Sequence, residues 1–209
     1  MFKLILKELK RHSPFTGLGA LTGIIMLIFF INLPYKISYR VFYILHPLHV
    51  FLSAFVTSSM YLLHINEDKK RKIVSLILIG YFGSVGIASI SDSVIPFLGE
   101  ILLDMPNTGI HLGFIEEWWI VNPLAFLGIF IAYFKPSTRF PHAGHVLLST
   151  WASAFHIIMS AGINIRWYLY IIIFLFLFIA VWIPCCASDI IFPLLFVKLK
   201  RRSGKSLIK

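Results

Sequence analysis

The chain is a succession of long apolar runs separated by short polar segments. The runs lie at about 15–34, 41–63, 73–103, 120–134, 143–163 and 167–197. An α-helix rises about 1.5 Å per residue, so a run of roughly 20 apolar residues crosses the hydrocarbon core of a bilayer. The third and sixth runs are longer, which predicts tilted or kinked helices. The pattern therefore predicts an all-α integral membrane protein with six transmembrane helices.

Composition and charge agree with this architecture. Hydrophobic residues make up 58% of the 209 residues and charged residues 13%, which leaves no soluble domain of any size. With the N-terminus in the cytoplasm, every Lys and Arg except Lys36, Arg40 and Arg166 falls in a cytoplasmic segment. Cytoplasmic loops are enriched in these residues, so both termini are predicted to be cytoplasmic, in a cell membrane. Because the charges are dispersed over four segments, they indicate contact with the lipid bilayer rather than nucleic-acid binding.

The second half of the chain repeats polar residues of the first half in the same order. Residues 46–53 (HPLHVFLS) return as residues 142–149 (HAGHVLLS). Residues 91–98 (SDSVIPFL) return as residues 188–195 (SDIIFPLL). Apolar helices match one another by chance on Leu and Ile, but rarely on His, Ser, Asp and Pro in one order. The match therefore indicates an internal duplication.

With six spans, the duplication divides the chain into three-helix units at residues 1–107 and 108–209. A weaker match, residues 14–19 with residues 123–128, occurs near the start of each unit. Because three is an odd number, the second unit enters the membrane in the opposite orientation. Inverted repeats of this kind are typical of secondary transporters. The predicted fold is a 3+3 inverted-topology repeat in a single membrane domain.

The repeated histidines form an imidazole pair on the second helix of each unit. His46 and His49 are three residues apart and Ser53 follows four later, so the three side chains line one helix face. Imidazoles one turn apart are a common way to hold a divalent transition metal. The equivalent residues of the second unit are His142, His145 and Ser149.

A carboxylate lies inside the third helix of each unit. Asp92 and Asp189 are each followed four residues later by a proline, Pro96 and Pro193. Proline has no N–H, so the carbonyl of each aspartate loses its helical donor. A carboxylate within a membrane span normally faces a partner or a water-filled cavity. Side-chain and main-chain oxygens are thus both expected to be available as ligands.

Helix depth predicts two related polar clusters, one toward each face of the membrane. Asp92 lies about 20 residues into an outward-running helix, at the depth of the first histidine pair. Asp189 lies equally far along an inward-running helix, near the second pair. His156 is expected to join the outer cluster as an accessory residue, and His64 the inner one.

These features predict a membrane transporter or carrier for a small cation. Imidazole together with carboxylate favours a divalent transition metal, without distinguishing Zn, Mn, Fe, Co and Ni. In a variant of the same hypothesis, the histidines and aspartates relay protons and so drive a different solute. The protein is not an enzyme under either form.

The histidine spacing also resembles that of cytochrome b, a diheme membrane protein that exchanges electrons with quinone. His49 and His64 are 15 residues apart, and His142 and His156 are 14 apart. In cytochrome b, two helices each supply one axial ligand to an upper and a lower haem. The resemblance implies haem b bound by His49 and His156 toward the outside, and by His64 and His142 toward the inside.

A third hypothesis is an intramembrane metal-dependent hydrolase that acts on lipid. His, Ser and Asp in membrane helices around a zinc-activated water resemble the residue types of alkaline ceramidase. That resemblance implies an enzyme with one lipid substrate. The duplication instead implies a related site in each unit.

Two adjacent cysteines are further candidates for metal ligands, and three glycines are candidates for helix packing. Neighbouring helix residues point about 100° apart, so a disulfide between Cys185 and Cys186 is not expected. The two thiols are interpreted as small apolar fillers, with soft-metal ligation as the alternative. Gly17, Gly19 and Gly23 give the first helix a small-residue face that can pack against a helix of the same chain or of a homo-oligomer.

Overall fold

All the regular secondary structure that the structure describes is helical. The structure is a computed structural model that describes residues 2–65, 69–162 and 165–196. Its α-helices are α1 (Phe2–Phe30), α2 (Tyr35–His64), α3 (Lys69–Tyr81), α4 (Ile87–Ser89), α5 (Ile95–Leu102), α6 (Gly113–Glu116), α7 (Trp118–Phe134), α8 (Arg139–Ser160) and α9 (Trp167–Cys186). π-Helical turns lie at Phe82–Gly86, Ile90–Val94 and Ala187–Ile191.

Four of the predicted spans have the length and composition needed to cross a membrane. They are Ser13–Phe30, Tyr35–His64, Ile73–Leu102 and Trp167–Cys185. Helix α7 is apolar but shorter. Helix α8 carries polar side chains such as His145, Ser149 and His156, which lower its hydropathy although they are buried inside the bundle. The fourth and fifth predicted spans, on α7 and α8, stay predictions.

Large apolar side chains cover much of the outside of the bundle. Phe29 and Trp167 are each 76% exposed, and Phe134 is 68% exposed. A soluble protein rarely leaves apolar side chains exposed in contiguous patches. The exposed apolar surface and the buried hydroxyl groups together are the arrangement expected of helices that face lipid.

Residues 69–102 form one long helix that contains two π-helical turns. In the second turn, the N–H of Ile95 bonds to the carbonyl of Ile90, five residues earlier. This wider ring is the defining bond of a π-turn, and it occurs just before Pro96, which cannot donate an N–H. The turn carries Asp92, which is fully buried. In the last helix, the turn Ala187–Ile191 occupies the same position relative to the repeated motif.

Helix α2 packs against both α7 and α8, and α1 packs against α8 and α9. Gly128 of α7 lies against the backbone of α2 at the carbonyl of Phe51, and Gly19 of α1 lies against Thr150 of α8. A Cβ at either glycine would overlap these neighbours. Small residues let helix backbones approach closely, which favours helix association within a membrane. The first helix of each half therefore packs against the second helix of the other half.

Candidate functional site

Asp92 lies at the centre of a buried polar cluster. Its Oδ2 atom accepts hydrogen bonds from Nδ1 of His46 at 2.9 Å and from Nδ1 of His49 at 2.6 Å. The three side chains are at most 2% exposed. The proximity predicted from helix depth is found, because the two histidines are one turn apart on α2 and face the same carboxylate.

The other oxygen of Asp92 is held by hydroxyl groups from both halves of the chain. Ser91 donates to Oδ1 over 2.8 Å, and Ser149 of α8 donates over 2.7 Å. A buried carboxylate needs such donors in place of water. We call Asp92, His46, His49, Ser91 and Ser149 the Asp92 cluster. Because Ser149 belongs to the second repeated motif, both halves build this cluster.

The carboxylate fixes the orientation of both imidazoles. An ionised carboxylate only accepts, so His46 and His49 donate from Nδ1 and, when neutral, keep a lone pair on Nε2. The Nε2 atom of His46 is buried without a hydrogen-bond partner in the part of the chain that the structure describes. It faces Gly113 of α6, where an added Cβ would lie 2.7 Å from it. A metal-binding imidazole typically gives its other N–H to a carboxylate in this way.

His145 connects the Asp92 cluster to the second histidine pair. Its ring is stacked on that of His49, with ring centroids 5.7 Å apart and ring planes 11° apart. The ring of His142 lies edge-on to His145, with centroids 5.0 Å apart. One potential ligand atom from each of His49, His145 and Cys185 lies within 4.8 Å of the other two. The two predicted clusters therefore meet, instead of lying apart at opposite faces.

Buried hydroxyl groups form two similar networks in which the halves of the chain exchange roles. In the first, the hydroxyl groups of Ser149 and Ser91 are 3.3 Å apart. In the second, those of Ser53 and Ser188 are 3.2 Å apart. One turn further along each helix, a second hydroxyl group donates to a serine carbonyl. Ser153 of α8 donates to the carbonyl of Ser91 at 3.0 Å, and Thr57 of α2 donates to the carbonyl of Ser188 at 3.5 Å. Ser53 thus occupies the position in its network that Ser149 occupies beside Asp92.

A second buried imidazole–carboxylate pair lies beside the Asp92 cluster. Nδ1 of His156 is 2.6 Å from Oε1 of Glu100, and both side chains are at most 1% exposed. The ring of Phe42 stacks on His46 and meets His156 edge-on, at centroid distances of 5.4 Å in both cases. The sequence interpretation placed His156 here but missed Glu100. An isolated glutamate within a membrane span is the signal that could have identified it.

The segment between α5 and α7 covers this end of the bundle. Oε2 of Glu116 accepts hydrogen bonds from the Tyr43 hydroxyl at 2.5 Å and from Nδ1 of His111 at 3.2 Å. The ring of His111 lies 5.3 Å from that of His156. Partial burial raises the pKa of Glu116, but the hydrogen bonds from Tyr43 and His111 outweigh this and hold its pKa below the ordinary value.

His64 does not join the cluster. His64 lies exposed at the end of α2, where its Nδ1 atom is 2.8 Å from the carbonyl of Met60 one turn earlier. This contact explains its position, because a histidine in the last turn can bond to the free carbonyls of the helix end. The side chain of Asp189 lies outside the described residues, so its predicted role stays a prediction.

Six of the histidines whose side chains the structure describes form one row through the bundle. Successive members are joined by ring contacts, by the Phe42 ring that touches both His156 and His46, or by the Asp92 carboxylate. The order of the row is His111, His156, His46, His49, His145 and His142. Imidazole nitrogens thus occur along a path that begins at the segment between α5 and α7.

Comparison of the chain with models of protein families, with curated proteins and with solved structures gives no significant match.

Proposed function

We propose that this protein is a membrane carrier for a divalent transition-metal cation, with the Asp92 cluster as its central binding site. The observation that carries the proposal is the pair of hydrogen bonds from His46 and His49 to one buried oxygen of Asp92, at 2.9 and 2.6 Å. A buried carboxylate is stable only when it is fully paired. Asp92 has four hydrogen-bond partners, and it orients two of them, His46 and His49, as potential metal ligands. Imidazole nitrogen together with carboxylate oxygen favours Zn, Mn, Fe, Co or Ni over Mg or Ca.

In this proposal, Asp92 acts first by positioning the histidines and becomes a direct ligand only if they rotate. The Nε2 atom of His46 supports this assignment, because it is buried and has no partner among the described residues. The second histidine pair, His142 and His145, continues the site toward the other half. Asp189 is proposed to serve the second half as Asp92 serves the first.

We further propose that the chain spans the membrane six times as a 3+3 inverted repeat. The matched hydroxyl networks support this arrangement, since Ser149 with Ser91 and Ser53 with Ser188 are equivalent pairs with the halves exchanged. The π-helical turns at both Ser-Asp motifs support it as well. In transporters with inverted repeats, ions bind where the repeats meet, and each repeat can rock against the other to expose the site to either side.

The histidine row also supports the proton-coupled variant of this function. Imidazole changes charge near neutral pH and passes protons between its two nitrogens. The pairs of His156 with Glu100 and of His49 with Asp92 place carboxylates beside the row. Cation binding at His46 and His49 requires neutral imidazoles, so a bound cation and a second proton on the same ring exclude each other.

The contacts favour a carrier over the two alternatives. A bis-histidine haem needs a planar tetrapyrrole between its two imidazoles, but His49 is stacked on His145 and His156 is packed against Phe42. A lipid hydrolase implies one substrate site, whereas the matched serine networks indicate related sites in the two halves of the chain. We therefore propose a carrier and not an enzyme.

Uptake by reconstituted protein tests this proposal. Purified protein in liposomes is supplied with Zn²⁺, Mn²⁺, Co²⁺ or Ni²⁺, and entry is followed with an indicator inside the liposomes. We expect uptake of at least one cation by the wild type, its loss in His49→Gln, and wild-type uptake in the matched control His64→Gln. The proposal fails if no cation enters or if His49→Gln transports like the control. A red preparation whose haem absorption disappears in His49→Gln would favour the cytochrome instead.

A further inference from the structure

We infer that Cys185 is a metal ligand and completes a second cation site with His49 and His145. This inference rests on the proposed function and deepens it by adding a soft ligand. The potential ligand atoms of the three side chains lie within 4.8 Å of one another. His145 is fully buried, and His49 and Cys185 are 1% and 3% exposed.

Three separate helices supply these side chains. His49 comes from α2, His145 from α8 and Cys185 from α9, next to the π-helical turn that carries Ser188. His49 also belongs to the Asp92 cluster, whose ligand atoms satisfy the same distance limit. The two three-residue sets therefore share one imidazole.

The donor set defines the class of cation. Two imidazoles and one thiolate leave a fourth position open, which is the coordination that zinc adopts where its ligands exchange. A thiolate favours Zn²⁺, Co²⁺ or Cu⁺ and disfavours Mn²⁺ and Mg²⁺. Binding releases the thiol proton to solvent, because only the thiolate binds the metal. The site thus narrows the proposed substrates to the softer cations.

The alternative role of Cys185 is that of an apolar filler. Cys185 packs with the buried side chains of Val146 and Val181, which is an environment that suits a small apolar residue. A filler predicts no thiolate bond to a bound metal. A ligand predicts such a bond, and only this second prediction has a spectroscopic signature.

Cobalt binding to the purified full-length protein in detergent distinguishes the two roles. We expect Co²⁺ to produce a near-ultraviolet thiolate-to-cobalt absorption in the wild type. The band should be lost in Cys185→Ser and retained in Cys186→Ser, which also leaves one thiol and is the matched control. Zn²⁺ should displace the band and protect the remaining thiol of Cys186→Ser from alkylation. Size-exclusion profiles and melting temperatures verify that each variant is folded.

Each outcome separates this inference from the proposed function. Bound Co²⁺ without thiolate absorption, or absorption that survives in Cys185→Ser, overturns the role of Cys185 and leaves the Asp92 cluster as the site. A thiolate band in protein that transports no cation supports the site and overturns the carrier. If no Co²⁺ or Zn²⁺ binds, the role of Cys185 is overturned, and the uptake of Mn²⁺ or Ni²⁺ then decides the carrier.

Discussion

The imidazole of His49 is stacked on that of His145, with ring centroids 5.7 Å apart and ring planes 11° apart. The two residues occupy equivalent positions in the repeated motif, so this contact joins the two halves at their most similar point. It places one imidazole from each half side by side inside the bundle.

We expect His49 and His145 to act as one unit in metal binding. The single variants His49→Gln and His145→Gln should each weaken Zn²⁺ binding, and the double variant should lose less than the sum of the two free-energy changes. Isothermal titration of the four proteins measures this coupling. The control pair, His49→Gln with the exposed His64→Gln, should be additive. Additivity in the first pair would contradict a shared site.

Asp92→Asn should reduce Zn²⁺ affinity by about 10–100-fold, the range typical for loss of a carboxylate that orients metal-binding histidines. The amide keeps the shape of the side chain but not the charge that orders both imidazoles. The control is Asp104→Asn, since Asp104 is exposed and has a positive φ of 51° that asparagine also tolerates. Equal Zn²⁺ affinity in the two variants would exclude a positioning role for Asp92.

Gly113→Ala should weaken metal binding by crowding His46. The added methyl group would lie 2.5 Å from Cδ2 and 2.7 Å from Nε2 of the imidazole, so the ring or α6 must shift. Gly86→Ala is the control, because a Cβ at Gly86 meets nothing within 4 Å. Zn²⁺ titration and thermal unfolding of both variants separate loss of the site from loss of stability. If Gly113→Ala binds Zn²⁺ as tightly as Gly86→Ala, the metal does not bind at Nε2 of His46.

The segment that covers the bundle should loosen in acid. Hydrogen bonds hold the pKa of Glu116 below its ordinary value. The contact of Glu116 with Tyr43 is therefore fully stabilising above the ordinary pKa of a glutamate, and it is lost as the pH falls through the lowered pKa. Hydrogen exchange of residues 112–117, corrected for its intrinsic pH dependence, should therefore rise in acid. In Glu116→Gln this rise in exchange should be absent. If the rise persists in the variant, a group other than Glu116 causes it.

The proposed topology places Lys36 and Lys135 on opposite sides of the membrane. Both residues are exposed, beside the start of α2 and the end of α7. Cysteines introduced there, in a chain whose native cysteines are replaced by serine, should react differently with an impermeant maleimide added to intact cells. Lys36→Cys should be labelled and Lys135→Cys should require lysis. Labelling of both in intact cells would contradict six spans with cytoplasmic termini.

Much of the candidate site could be predicted because its signals are local. The spacing of His46 and His49 places them on one helix face, and a carboxylate within an apolar helix requires a partner. Glu100 was missed because the repeat has no equivalent carboxylate to draw attention to it. Cys185 was interpreted mainly as a filler, since nothing in the sequence indicates which face of α9 meets α2 and α8.

The sequence by itself determined the helices, the apolar surface and the identity of the polar residues, because helix periodicity and hydropathy depend on neighbours along the chain. Only the tertiary structure decided that Ser149 binds Asp92 and that the rings of His49 and His145 stack. These contacts join residues far apart in the chain. They depend on how closely helices approach at Gly19 and Gly128 and on how each helix is rotated about its axis. That packing places the two predicted clusters in contact.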